Sequence, residues 1–143
     1  MLNAIVLGIS VLSSGVNYTE QQCLALNIYH EARGEYETGM IAVAEVTMNR
    51  VKSDKFPDTI CEVVYQPGAF SWVGVMDQTP NLNNTIDRES WRKANTIAVS
   101  TMMLSLSNYT KGATFYHANY VRPYWVDHFE KVAVIGNHVF YKQ

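Results

Sequence analysis

Within the stretch NIYHEARGEYETG, Asn27 to Gly39, His30, Glu31, Arg33 and Glu35 stand close together directly behind an apolar run. What a carboxyl could do there depends on its phase in the helix that the run suggests. Leu24, Ile28 and Glu31 follow one another at spacings of four and three, so they share one side of a helix, flanked by Asn27 and Ala32. A carboxyl that extends an apolar stripe loses hydration, which penalises its charged form and raises its pKa. Glu31 also falls in the last helical turn, where the negative end of the helix dipole acts in the same direction. Both effects favour a proton donor at neutral pH, the requirement for a general acid that protonates the oxygen of a leaving sugar. Spacing alone also admits a structural role, in which Glu31 pairs with Arg33 or a lysine and closes the helix. Glu35, past the helix end, reads as a solvated loop carboxylate or as an acceptor for backbone N–H groups.

Other residue types offer less. His30, His117, His128 and His138 never form HExxH, the spacing that puts two zinc ligands on one helical face. No metal or other cofactor is expected. There is no GxSxG turn, and Cys23 and Cys61 lack the surroundings of a nucleophile; they are either one disulfide or two buried thiols. Phe70, Trp72, Tyr116, Tyr124 and Trp125 are interleaved with Gln66, Ser71, His117 and Asn119. Sugar rings offer apolar C–H faces with hydroxyl and acetamido edges, which such a mixture suits, although any one of these aromatics could equally be core.

The elements that must position these residues fit one domain. A chain of 143 residues, 48% hydrophobic and 17% charged, can bury a full core. Its net charge of −2 provides no basic field for nucleic acid. Residues 2–12, LNAIVLGISVL, are too short to span a bilayer and read either as a weak signal or anchor or as an extra element of the fold. The domain proper is expected over residues 18–143.

TEQQ at Thr19 to Gln22 matches a capping box and starts a helix that should run to about Arg33, with Gly34 ending it. A second helix, GMIAVAEVTMNRVKS, sets Met40, Ala44, Thr47 and Val51 on one face and Glu45 and Asn49 on the opposite one. A turn at Pro57 precedes a short helix capped by Asp58 or Thr59, and PGAFSWVG reads as a structured loop or short strand. Asp87 could cap a long helix whose Trp91, Ala94, Ala98, Thr101, Met102 and Ser105 share a face. The β-branched and aromatic runs ATFYHA and VAVIGNHVFYK read as strands, with a hairpin at Gly136–Asn137. The sum is an α+β fold, mainly helical, with a small antiparallel sheet.

Five segments in order carry a resemblance: YHEARGE at 29–35, GMIAVAEVTMNRV at 39–51, FPDTICEVVYQPGAFSW at 56–72, GATFYHANYVRPYW at 112–125 and IGNHVFY at 135–141. Together they resemble the cell wall hydrolase family typified by the spore-cortex-lytic enzyme SleB. The resemblance implies a lysozyme-like fold, akin to goose-type lysozyme and lytic transglycosylases, acting on the glycan strands of peptidoglycan. It also implies that Glu31, matching the first Glu of EARGE, is the catalytic glutamate. Glu35, Gln66, Phe70, Ser71, Trp72, Tyr116, His117 and Trp125 match segments near the family's cleft and are the candidate substrate-binding residues.

The implied reaction is protonation by Glu31 of the β-1,4 oxygen between N-acetylmuramic acid and N-acetylglucosamine, giving an oxocarbenium-like centre. Attack by the muramic C6 hydroxyl would make the enzyme a lytic transglycosylase, which the resemblance favours. Attack by water calls for a second carboxylate about 5 to 9.5 Å away, for which Glu35, Glu45 and Asp77 are available. The alternatives are a zinc-dependent amidase and a glycan-binding module that cuts nothing. No peptidoglycan-binding repeat precedes the catalytic region, so envelope remodelling or phage lysis is expected rather than spore germination. The expected setting is the cell envelope, periplasm or exterior, with peptidoglycan as partner, no nucleic acid, no stable membrane span and a monomeric chain.

Overall fold

A computed structural model describes residues 10–11, 17–74, 78–104 and 107–143. Two short strands, β1 (Ser10–Val11) and β2 (Asn17–Tyr18), pair antiparallel ahead of the helices. The rest of the apolar N-terminal segment lies outside the described residues, as do Asp77 and Ser105. Among the described residues no helix is long and apolar enough to cross a membrane.

Helix α1 (Glu20–Ala32) opens on the expected capping box: Thr19 Oγ1 accepts from the Gln22 N–H at 3.1 Å, and Gln22 Oε1 accepts from the Thr19 N–H at 3.0 Å. Gly34, with φ of 89°, turns the chain after Arg33 in a conformation that favours glycine. Helix α1 runs through the centre of the molecule. Every residue from Cys23 to Tyr29 is buried, against helices α2 (Glu37–Lys52), α3 (Ile60–Val64) and α4 (Thr85–Leu104). Such all-round burial explains why α1 has only a weak polar face.

Two features bind α1 to α3. The Glu20 carboxylate accepts from the backbone N–H groups of Ile60 and Cys61, which the first turn of α3 leaves unpaired, while Thr59 Oγ1 accepts from Glu62. One turn further on, Cys23 and Cys61 form a disulfide, so of the two states open in the sequence the chain takes the bonded one.

For α2 the expected division of faces holds, and for α4 the expected cap is replaced. Glu45 and Asn49 do lie opposite the α1-facing side of α2, but Glu45 is buried. Its carboxylate accepts from Ser107 Oγ, the N–H groups of Tyr109 and Thr110, and Thr110 Oγ1, at 3.0 to 3.2 Å. Helix α2 is covered on both sides because Ala42 and Val46 pack against Ala113 and Phe140 of the sheet region. Asn49 serves the same junction, donating to Ala113 O at 2.9 Å. Glu45→Ala, which leaves four donors unmet, is expected to cost about 3 kcal/mol in urea unfolding, with Glu45→Gln losing roughly half as much. The cap of α4, in turn, is Asn84 and not Asp87. Asn84 Oδ1 accepts from Ile86 and Asp87 N–H, whereas Asp87 reaches back to Arg33 at 3.0 Å. Both side chains can cap; Asn84 stands one place before the first helical residue, where the orphan N–H groups point.

Three strands complete the fold: β3 (Phe115–Ala118), β4 (Glu130–Ile135) and β5 (His138–Lys142), ordered β3-β5-β4 and antiparallel throughout. The turn between β4 and β5 is at Gly136–Asn137, as the sequence suggests, with Gly136 at φ 57°. Tyr116 pairs with Phe140 and Ala118 with His138, so these four share one face of the sheet, turned toward the helices. PGAFSWVG is a succession of turns that lays Phe70 and Trp72 into the core.

Candidate active site

A cleft of about 370 Å³ opens between the end of α1, the Ala69–Ser71 loop and β3. Glu31 lies at its wall, half-buried, with Oε2 accepting from the Tyr116 hydroxyl at 3.0 Å. Burial pushes the Glu31 carboxyl above its ordinary range; the Tyr116 hydrogen bond and the nearby Arg50 charge oppose this without cancelling it. Tyr116 is raised well above the usual phenol value, first by burial and then by Glu31, so it stays a hydroxyl donor. The structural alternative, Glu31 paired with Arg33 or a lysine, is not seen among the described residues. Arg33 turns instead to Tyr29 and Asp87.

Arg50, from α2, is the cation of the cleft and was not among the residues the sequence singled out. It is buried, its Nε donates to Thr114 O at 2.8 Å, and its guanidinium lies over Phe56, Phe70 and Phe115 at 5.1 to 5.3 Å. Aromatic faces attract a cation electrostatically, which offsets part of its lost hydration. Burial lowers the Arg50 pKa, while electrostatic interaction with Tyr116 and Glu31 acts to raise it. The signal available in the sequence was an arginine within a helix whose neighbouring turns are apolar on two sides.

Of the residues expected to bind substrate, Phe70, Ser71, Tyr116 and His117 line this cleft with Glu31. His117 is held at both nitrogens, Nδ1 2.7 Å from Ala118 O and Nε2 3.0 Å from the Tyr141 hydroxyl. Trp72 lies behind the cleft in the core: its indole N–H donates to Asn27 Oδ1 at 2.9 Å and its ring stacks on His30. Asn27 in turn donates to Thr47, so the indole belongs to a buried polar chain between α1 and α2. Trp125 packs on Phe115, Phe129 and Tyr141, on the side of β3 away from Tyr116. Gln66 accepts a turn hydrogen bond from Ala69 through its carbonyl and does not line the cleft. Glu35 stands behind His138, with Oε1 3.3 Å from Nδ1 of that imidazole.

His138, Tyr120 and Val121 also line the cleft. Strand phase could have placed His138, since it alternates onto the same face as the buried Phe140. Tyr120 is 85% exposed, so nothing in its own helix or strand pattern marks it. Among the described residues no three His, Cys, Asp or Glu side chains converge as metal ligands.

The chain is similar to known proteins over most of its length. The family model for Cell Wall Hydrolase matches residues 34–141. The spore cortex-lytic enzyme of Oceanobacillus iheyensis is 30% identical over 131 residues, and that of Halalkalibacterium halodurans 32% over 130. These alignments cover 90% and 89% of this chain but 43% and 36% of those proteins, so the chain spans less than half the length of these curated relatives. Among solved structures, the catalytic domain of the germination-specific lytic transglycosylase SleB from Bacillus anthracis superposes with a TM-score of 0.68 at 31% identity. That superposition covers 92% of this chain and all of the other. The catalytic domain of Bacillus cereus SleB gives 0.60 at 26% identity, over 86% of this chain and 89% of the other. With the matched segment holding α2, the cleft arginine and all but the last residue of the three-stranded sheet, and a SleB catalytic domain overlaid along its full length, the chain belongs to the cell wall hydrolase family.

Proposed function

We propose that this chain cuts peptidoglycan glycan strands at the β-1,4 bond between N-acetylmuramic acid and N-acetylglucosamine, as a lytic transglycosylase in which Glu31 is the single acid and then the base. The observation that carries this reading is the half-buried Glu31 carboxyl at the wall of an open cleft, its pKa raised by burial and its Oε2 held by the Tyr116 hydroxyl. Family membership supports the substrate class.

In the first half-reaction Glu31 gives its proton to the glycosidic oxygen as the C1–O bond breaks, and positive charge develops at C1 of the muramic residue. The carboxylate so formed keeps the Tyr116 hydrogen bond and faces the Arg50 charge, which stabilise it within the cleft. It then takes the proton of the muramic C6 hydroxyl as that oxygen bonds C1, leaving a 1,6-anhydro end and a protonated Glu31. Phe70, Ser71, Tyr116 and His117 are the proposed substrate contacts. Of the two described carboxylates offered for a hydrolytic route, Glu45 is occupied by the 107–110 loop and Glu35 by His138, which favours the single-glutamate route. Action on peptidoglycan places the working protein outside the cytoplasm, and the cysteine pair suits an oxidising compartment.

Mass spectrometry of fragments released from purified sacculi tests the reaction. Transglycosylation predicts muramic ends lighter by one water than the reducing ends of hydrolysis; reducing ends alone would replace this mechanism by a muramidase, and free stem peptides would replace it by an amidase.

A further inference from the structure

Glu35 and His138 form a second polar pair at the cleft, separate from the acid. The Glu35 carboxylate occupies a slot between two glycines. A Cβ on Gly136 would stand 2.9 Å from its Oε2, and one on Gly39 would stand 3.1 Å from its Cβ. Each glycine therefore leaves space that a larger residue would take from Glu35, and Gly136 in addition has a left-handed backbone. From this slot Oε1 faces Nδ1 of His138, with the two side chains only 14% and 12% exposed. A shielded carboxylate opposite one ring nitrogen favours the tautomer with its proton on that nitrogen, leaving the lone pair on Nε2. The described residues supply no hydrogen-bond partner for Nε2. The imidazole meets the Tyr116 ring edge-on at 5.3 Å, and Tyr116 is the residue that donates to Glu31, so imidazole and acid contact the same phenol.

We propose that His138, held by Glu35, presents a fixed hydrogen-bond acceptor to an N–H or O–H group of the N-acetylated amino sugar bound beside Glu31. This rests on the glycan reading given above. Glu35 is then a positioning residue that acts through His138 without meeting substrate, which gives a use to a carboxylate the single-acid mechanism leaves idle.

The groups facing His138 are Glu35 from the loop before α2, Tyr116 and His117 from β3, and Glu31 and Arg50 in the same cleft. Burial holds His138 below the ordinary imidazole value; Glu35 works against that shift and His117 adds to it. The ring is therefore neutral at pH 7 and able to accept. Protonation at lower pH turns Nε2 into a donor and removes the acceptor.

The test measures binding in the full chain carrying Glu31→Gln, so that cleavage does not intervene and residue 31 does not titrate. The probe is a soluble tetrasaccharide of alternating N-acetylglucosamine and N-acetylmuramic acid, followed by calorimetry from about pH 4 to 8, a range extended below the ordinary imidazole pKa because burial lowers that of His138. In this parent, affinity should fall as pH falls through the His138 titration. Adding His138→Phe should weaken binding about tenfold at pH 7, the size of one lost hydrogen bond. Adding His138→Gln, which keeps a neutral acceptor, should stay within about threefold of the parent and lose the pH dependence. Glu35→Ala should move the pH dependence to lower pH, a change that a merely structural role for Glu35 would not produce.

Binding by His138→Phe as tight as the parent's, with matched unfolding temperatures, would overturn the proposal, as would pH-independent binding by the parent or no binding at all. If His138→Phe fails to fold, the pH profiles of the parent and His138→Gln decide. The glycosidase reading fails separately: an unmutated chain that binds the tetrasaccharide through His138 yet releases no fragments from sacculi sinks the cleavage and leaves the acceptor standing.

Discussion

Glu31→Gln is expected to fold normally and to lose about 10²- to 10⁴-fold in glycan-strand cleavage, the range associated with a positioned general acid or base. Glutamine keeps the size of the side chain and can still accept from Tyr116, so the geometry around the 3.0 Å contact survives while the transferable proton does not. Release of soluble muropeptides from sacculi measures the loss, and retained activity would remove Glu31 from the mechanism.

Stability should move the other way. The folded pKa of Glu31 lies above its unfolded value near 4.5, so the folded chain holds the proton more tightly than the unfolded one. The contribution of Glu31 to stability is thus fully present below that unfolded value and lost as pH rises through the folded pKa. The substituted glutamine side chain carries no charge and incurs no such loss. Thermal unfolding across about pH 4 to 8 should therefore show the variant matching the native chain at the acid end and exceeding it at neutral pH. A residue that weakens the fold at working pH yet is required for turnover is the expected signature of a site selected for chemistry.

Replacing Cys23 and Cys61 together by alanine should have the largest effect on stability. The bond closes a loop with a sequence separation of 38, which in the chain-entropy account is worth about 4 kcal/mol. For a 143-residue chain that corresponds to a fall in unfolding temperature of roughly 10–15 °C, readable by calorimetry and reproduced by a strong reductant on the native chain. Glu20 would still cap α3, so the folded variant should keep its secondary structure, and its activity below the new midpoint should be near normal. A shift of only a degree or two would mean that the bond contributes little beyond the packing around it.

The main elements were legible because their signals are local. Thr19 and Gln22 sit at fixed spacing, Gly34 meets the need for positive φ, and the alternation in HVFYK matches the pleat of β5. The phase of Glu31 on α1 was readable for the same reason. What escaped depends on partners far along the chain. Glu45 looks like a surface residue until the loop at 107–110 closes over it, and Trp72 looks like a sugar platform until Asn27 takes its N–H. Arg50 is a cleft cation only because three phenylalanines from three separate segments surround it. Asn84 and Asp87 are both sound caps in isolation, and Arg33 decides which one is free to act.

The polar residues of α2 set how far the chain can change in length near the cleft. Glu45, Asn49 and Arg50 hold Thr110, Ala113 and Thr114 in order along the helix, and the strand that carries Tyr116 starts from there. Side chains in a strand alternate, so one residue added between Thr114 and Tyr116 would turn the phenol away from Glu31 and bring a neighbour in its place. The stretch from Thr110 to Tyr116 is therefore a gauge whose residue count is fixed by the helix beneath it.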